Sequence, residues 1–451
     1  MAKIENNLTE GNVAKQLLIF ALPFMMSNLI QTLYNVADML IVGRFGDSAG
    51  ISAVNIGGQV TLLITNIIVG LTVGSTVAIA QYLGCGDRKR VEESIGTLLI
   101  SLVAASVAIT VIMIFAADGI LHLLNTPSEA YGQAKEYLNI TIAGTIFISG
   151  YNALAAIMRG LGDSKRPMVF VTIACVTNIF LDLLLVGYFQ MGAKGAAIAT
   201  IFSQAMSMCL CVVYLKHNDF IFDFKLKSFR FYKDSFSVQM RLGIPNAIQN
   251  VIVNMSFMVL TAIVNMIDVD ASAAVGVVGK FNGFAILPAI AMGASVSAMC
   301  GQNFGAGKID RAKKTMFIGF GMSMCFSVVI FLLANLFPTQ ILEIFNDSPK
   351  MIAYGRDYMR TLTLDYLMVP ITFCVSGLIT GSGHTIIASV SNILSSLGFR
   401  IPLALLFGVA LDWGMTGLGL AAPIATAGTA LLLILYYFSG KWKQSTIIKA
   451  Q

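Results

Sequence analysis

Apolar stretches of about 20 residues or more recur along almost the whole chain, and a stretch of that length crosses the hydrocarbon core of a bilayer as a helix. Twelve such spans are read here, at about 14–43, 52–83, 93–124, 129–158, 167–190, 194–216, 238–267, 271–304, 311–345, 350–380, 385–411 and 414–440. Charged residues are only 12% of the sequence and the mean hydropathy is +0.80. A soluble protein carries about twice that charge. The expected class is therefore an all-α integral membrane protein with twelve transmembrane helices. No cleavable signal peptide is evident, because the N-terminal residues are polar (Glu5-Asn-Asn-Leu-Thr-Glu10) and the first apolar run is too long. The seven cysteines are scattered through apolar spans without metal-ligand spacing, so they read as small hydrophobes.

One long polar segment interrupts the pattern and contains Lys225, Lys227, Arg230 and Lys233. It suggests an N-lobe of residues 1–216, a cytoplasmic linker of 217–237 and a C-lobe of 238–451. Arg88-Lys89-Arg90, Arg159 with Lys165-Arg166, the linker, Lys308 with Arg311-Lys313-Lys314, and Lys441 with Lys443 fall on one side of the expected topology. Cytoplasmic loops carry the excess of Lys and Arg, so both termini are expected in the cytoplasm of a multi-pass protein of the cell membrane. This bias also accounts for the net charge of +6, and no nucleic-acid partner is expected.

The two halves repeat each other. Ala53-Val54, Gly58, Gln81, Gly84, Gly86, Gly160 and Gly162 recur 221 residues later as Ala274-Val275, Gly279, Gln302, Gly305, Gly307, Gly381 and Gly383. Pro23, Asn28, Gly192 and Gly195 recur 222 residues later as Pro245, Asn250, Gly414 and Gly417. Six spans per half is an even number, so both halves enter from the same side. The lobes should then be related by a pseudo-two-fold axis along the membrane normal, a symmetry found in transporters.

A charge in a bilayer costs several kcal/mol, roughly 3 or more at the centre, so an intramembrane carboxylate points to function. Asp38 in span 1 and Asp182 in span 5 are such residues, and the second repeat has Leu260 and Ala404 in their places. Asn28, Gln31, Asn35 and Asp38 are spaced 3, 4 and 3, which aligns them on one helical face. Asn178 and Asp182 are four apart and share a face of span 5. Thr200 lies at a matching depth in span 6, and Asp38, Asp182 and Thr200 fall roughly 8–10 Å below the outer surface at 1.5 Å per residue. Such oxygen donors suit a hard cation, and the carboxylates could equally hold protons. Asp38, Asn178, Asp182 and Thr200 are thus the expected cation or proton site, with Na+ as the possible metal. Asn28, Gln31 and Asn35, with Gln249 and Asn250 in the second repeat, are candidates to line a substrate cavity. Pro23 is expected to bend span 1. In the second repeat, Lys280, Asp365 and Arg400 also fall in apolar surroundings, and an ion pair among them would lower their cost.

Three stretches carry a resemblance: Tyr34-Asn-Val-Ala-Asp38-Met-Leu-Ile-Val-Gly43-Arg-Phe-Gly46, Arg159-Gly-Leu-Gly-Asp163-Ser-Lys-Arg-Pro167 and Gly301-Gln-Asn-Phe-Gly-Ala-Gly307-Lys-Ile-Asp-Arg311-Ala. Together they resemble the multidrug and toxic compound extrusion family over essentially the whole chain. The resemblance implies a twelve-helix antiporter of two six-helix lobes. It would export amphipathic, often cationic compounds in exchange for sodium ions or protons. It also implies that Asp38, Asn178, Asp182 and Thr200 form the N-lobe cation site and that Pro23 is the bending proline of the first helix. The chain departs from one branch of the family in span 7, where Gln249, Asn250 and Asn254 stand in place of a Glu, and Asp365 falls about one turn early. No cofactor is expected beyond the coupling ion, and the expected partners are small-molecule substrates and membrane lipids, with the protein a monomer. No nucleophile–base pair points to an enzyme. The alternatives are a flippase for lipid-linked saccharides, which an acidic N-lobe site disfavours, and a passive channel or receptor, which the extensive repeat disfavours.

Overall fold

The computed structural model describes residues 5–218, 220–225, 227–265, 268–345 and 348–448, and no strand occurs among them. Ten helices, some of them running through a short break or a π-type turn, are each long and apolar enough to cross a membrane. Four further helices form two bent pairs. The helices α4 (Ser128–Ala143) and α5 (Thr145–Gly160) meet at 48°, and α13 (Pro349–Leu362) and α14 (Asp365–Gly381) meet at 45°. Taking each bent pair as one span gives twelve, the number expected.

Local chemistry explains several starts. Asp87 caps α3 (Arg88–Leu123) by accepting from the Arg90 N–H at 3.0 Å. Asp268 does the same for α9 (Val269–Ala285), accepting from the Asp270 N–H at 2.8 Å. Pro349 follows the capping Ser348 at the start of α13, where its missing N–H costs nothing. Asp163 of the Arg159–Pro167 stretch accepts from the backbone of Lys165 and Arg166 and pairs with the Arg166 guanidinium, so this loop's carboxylate is a structural cap for α6 (Lys165–Asp182).

The first helix, α1 (Val13–Phe45), runs unbroken through Pro23, and α8 (Lys233–Asn265) runs unbroken through Pro245. The bend expected at Pro23 does not interrupt the helix; one lost donor is small against a 33-residue run of bonded turns. Breaks of more than 40° fall at α4–α5 and α13–α14.

The chain forms two compact units. The first comprises the described residues up to Asn6, Met26–Leu83 and Asp87–Gly243. The second comprises Asn7–Met25, Gly84–Gly86 and the described residues from Ile244 onward. The polar linker therefore belongs to the first unit, where the Tyr232 N–H donates to Thr97 Oγ1 at 3.2 Å and Gln239 Nε2 donates to the Ser94 carbonyl at 2.8 Å. In the second unit, Leu8, Val13, Leu17 and Phe20 pack with Val296, Met299, Leu378 and Trp442. A separate apolar cluster in that unit holds Leu260, Val264, Tyr358, Tyr366, Ala404 and Ala422.

The repeat extends to backbone geometry. A π-type turn follows Asp182 at Leu183–Tyr188, and another spans Ala404–Ala410. The first closes with Phe189 N–H to Leu184 O at 2.9 Å and Met191 N–H to Leu185 O at 2.9 Å. The second closes with Leu411 N–H to Leu406 O at 2.8 Å and Trp413 N–H to Phe407 O at 3.0 Å. Gln190 and Asp412 then take left-handed backbone angles of φ 54° and 53°, again 222 residues apart.

Candidate functional site

The first unit gathers the four residues expected to form the ion site. Asp38 lies in α1, Asn178 and Asp182 in α6, and Thr200 in α7 (Gly192–His217). All four are buried: Asp182 and Asn178 are 0% exposed, and Asp38 and Thr200 are each 7% exposed. The Asp38 and Asp182 carboxyl groups are near enough to feel each other's charge. One oxygen of each, Asp38 Oδ1 and Asp182 Oδ1, is buried with no protein partner. Orphaned acceptors of this kind are rare in protein interiors, because each costs the full desolvation of an unpaired polar group.

Asn178 braces the pair. With its amide turned to satisfy both neighbours, Nδ2 donates to Asp182 Oδ2 at 3.0 Å and Oδ1 accepts from the Thr200 N–H at 3.3 Å. The amide therefore holds Asp182 and ties α6 to α7. The π-type turn begins immediately after Asp182, and such turns recur at functional sites because they re-aim the adjoining side chains.

Two tyrosines absent from the expected set belong to this site. Tyr34 donates its hydroxyl to Thr200 Oγ1 at 3.1 Å. It lies four residues before Asp38 and so shares its helical face, a signal that was legible in the spacing. Tyr137 of α4 is buried and near enough to feel the charge of both carboxylates. Nothing in its local sequence marks it. Its ring is admitted by Gly57 of α2 (Ser48–Gly84), where an added Cβ would lie 2.4 Å from Tyr137 Cδ1.

The candidate cavity residues divide between the units. Asn28, Gln31 and Asn35 belong to the first, and Gln249 and Asn250 to the second. Gln31 and Asn35 are exposed, while Asn28, Gln249 and Asn250 are half-buried. Gln31 and Tyr34 also line a small cavity with Cys175, Ser203 and Gln204, close to the carboxyl pair along α1.

The ion pair expected among Lys280, Asp365 and Arg400 does not close. Among the described residues, no salt bridge joins Asp365 to either cation. Lys280 projects from an exposed position of α9. Asp365 is 8% exposed, and its Oδ1 is buried without a protein partner. Arg400 Nη1 donates to Ser256 Oγ at 3.2 Å, and its guanidinium lies 4.5 Å from the Phe257 ring centroid. A hydroxyl and an aromatic face thus take up the cation that a carboxylate was expected to hold.

No group of three or more His, Cys, Asp or Glu side chains suited to a metal occurs among the described residues. Two carboxylates with hydroxyl oxygens nearby suit a singly charged ion or a proton better than a transition metal, whose sites gather nitrogen and sulfur ligands.

Comparison with known proteins agrees with this architecture. A family model described as MatE matches residues 23–184 and matches again at 245–406. The chain is 28% identical to a probable multidrug resistance protein, YpnP, of Bacillus subtilis over 438 residues, covering 97% of both chains. It is 26% identical to the probable multidrug resistance protein NorM of Thermotoga maritima, covering 97% of this chain and 94% of that one. A solved structure described as the outward-facing conformation of a multidrug resistance MATE transporter superposes with a TM-score of 0.91 at 22% identity, covering 98% of each chain.

Proposed function

Because the chain belongs to the MatE family of multidrug efflux transporters, we propose that it exports amphipathic, often cationic compounds by antiport, driven by sodium ions or protons that bind at Asp38 and Asp182. The family assignment makes it a transporter of the bacterial cell membrane and not an enzyme. The coupling mechanism and the ion are our own reading.

The observation that carries this reading is the pair of buried carboxyls, each with one oxygen left without a protein partner. Two buried carboxylates that feel each other's charge cannot readily both stay charged in a low-dielectric surrounding without a cation or a proton between them. The pair is therefore a receptor for one positive charge. Asp38 and Asp182 supply the charged oxygens, Thr200 and Tyr34 supply hydroxyl oxygens, and Asn178 fixes the Asp182 rotamer. The site joins α1, α6 and α7, so a bound ion favours whichever arrangement brings these helices together. An ion that prefers one conformation must lower affinity for a substrate that prefers the other, by the same coupling free energy. Ion entry from outside would then favour release of the drug, and ion release inside would reset the cycle. Six spans per half and the Lys/Arg bias support cytoplasmic termini.

The test is drug efflux from proteoliposomes carrying either an imposed sodium gradient or an imposed pH gradient, each alone. Efflux under one gradient and not the other identifies the ion. Efflux that ignores both would sink antiport.

A further inference from the structure

The second unit contains a polar cluster at the repeat positions of Tyr34, Tyr137 and Asn178, beside the apolar counterparts of the carboxylates. At the 222-residue offset, Asn178 becomes Arg400 and Tyr34 becomes Ser256, the residue that Arg400 bonds at 3.2 Å. At the same offset, Gln204 becomes Thr426, which is buried. At the 221-residue offset, Tyr137 becomes Tyr358, which is buried and near enough to feel both Arg400 and Asp365. Asp365 itself stands where the first unit has Gly144, the residue at the bend between α4 and α5.

The carboxylates of the first site have apolar counterparts. Leu260 and Ala404 replace Asp38 and Asp182 and pack in one core cluster with Ala422, the counterpart of Thr200. The first site thus holds two carboxylates and no resident cation, whereas the second cluster holds one carboxylate and one cation. The backbone also differs. Residues 173–178 of the first unit are α-helical, but their counterparts Ser395–Arg400 form a π-type turn that ends on Arg400. The wider turn gives the longer side chain room where an asparagine stands in the first unit.

The cluster is incompletely satisfied. Asp365 Oδ1, Arg400 Nε and the Tyr366 hydroxyl are buried without a protein partner. Asp365 is more than nine-tenths buried, and Arg400 is too distant to close a salt bridge with it. A packing device made only of an ion pair would have closed that bridge, since an open pair leaves both desolvation costs standing.

We propose that the second unit keeps the repeat's cation site in a plugged form: the Arg400 guanidinium is a tethered monovalent cation that balances Asp365, and its removal opens a site for a small monovalent cation. This inference rests on the reading of Asp38 and Asp182 as a cation site. It explains why a repeated protein would draw its driving ion through one half. The first unit must take its positive charge from solution, while the second carries one permanently, because arginine does not deprotonate in proteins.

The test uses the purified full-length protein in nanodiscs and reads its thermal unfolding midpoint in millimolar sodium, guanidinium or choline chloride. The variant Asp38→Asn/Asp182→Asn silences the first site and should respond to none of these salts. Adding Arg400→Ala should create a saturable rise of several degrees with guanidinium or sodium but not with choline. Adding Asp365→Asn should abolish that rise. Arg400→Lys in place of Arg400→Ala should leave the protein unresponsive, since an ammonium group still fills the site. Arg400→Gln, which can still bond Ser256, carries the test if the alanine variant does not accumulate.

A folded Arg400→Ala or Arg400→Gln variant without a cation response would overturn the proposal, as would a response that survives Asp365→Asn. A response already present in Asp38→Asn/Asp182→Asn would also overturn it, because the second unit would then bind a cation with Arg400 in place. Absence of any cation effect in the unmodified protein would instead sink the reading of the first site. The Arg400 variants would still judge the plug on its own.

Discussion

Replacing Asp182 by asparagine separates a cation site from a structural acceptor. The substitution keeps the shape of the side chain and removes its charge. Asn178 Nδ2 now donates to Asp182 Oδ2 at 3.0 Å, and the new amide oxygen can accept the same bond. The link between α6 and α7 is retained, so the fold should survive. A bound cation would lose one of two full charges. At about 4 Å and an effective dielectric near 20, a unit charge contributes about 4 kcal/mol. The amide oxygen restores part of this, leaving a loss of about 2–4 kcal/mol, or roughly 30- to 700-fold in cation affinity at tenfold per 1.4 kcal/mol. The assay is drug binding to the purified protein with and without sodium, and at two pH values. Asp182→Asn should bind drug while losing the ion effect. Its unfolding midpoint in sodium-free buffer should equal or exceed that of the unmodified protein, because the like-charge pair is gone. A structural carboxylate gives the opposite result, a lower midpoint with the ion effect intact. That outcome, or loss of the ion effect in Asp365→Asn with its retention in Asp182→Asn, would refute the reasoning.

Further expectations concern single groups. Tyr34→Phe removes the 3.1 Å bond to Thr200, worth about 1 kcal/mol, and should weaken the apparent ion affinity roughly fivefold with expression unchanged. Gly57→Ala places a methyl group 2.4 Å from the Tyr137 ring, and such overpacking costs about 1–3 kcal/mol, so it should lower the unfolding midpoint; Tyr137→Ala in the same background should recover part of the loss. In the linker, the Ser228 hydroxyl, followed by the Lys225 N–H and ammonium, holds the Asp223 carboxyl down at about 2. A carboxylate held below its ordinary value stabilises its turn above that value and loses the contribution as pH falls through about 2, so pepsin should cut the linker faster at about pH 2 than at about pH 4, and Asp223→Asn should remove the difference. In a cysteine-free background, cysteines at Lys165, Lys227 and Lys443 should resist impermeant thiol reagents added outside cells while one at Ser348 labels; external labelling at Lys227 would reverse the topology.

The membrane class, the number of spans and the internal repeat were all legible in the amino-acid sequence, because bilayer thickness sets a length that apolar stretches must meet and a repeat leaves matching residues at one offset. Most spans lie within a few residues of the observed helices, but the one expected at 311–345 is a helix at Ile309–Leu336 followed by a separate short helix at Pro338–Glu343. The carboxyl pair was legible for a related reason: a charge in hydrocarbon costs too much to be kept without use, and the second repeat shows the same positions without it. Other features depended on packing. Spacing put Asn178 and Asp182 on one face, yet only the helix arrangement turned Asn178 into a brace between Asp182 and Thr200. Tyr137 reaches the site because Gly57, 80 residues earlier in the chain, leaves room for its ring. Nothing in the local sequence marked the breaks at the α4–α5 and α13–α14 junctions, where the chain turns without a proline at the break. Charge counting proposed an ion pair for Arg400 and Asp365. The structure gave Arg400 a hydroxyl and an aromatic face and no salt bridge to Asp365, because partner choice between buried polar groups depends on geometry to within an ångström. Periodicity and transfer cost act along the chain and can be read from it, whereas contacts between distant segments exist only once the helices have packed.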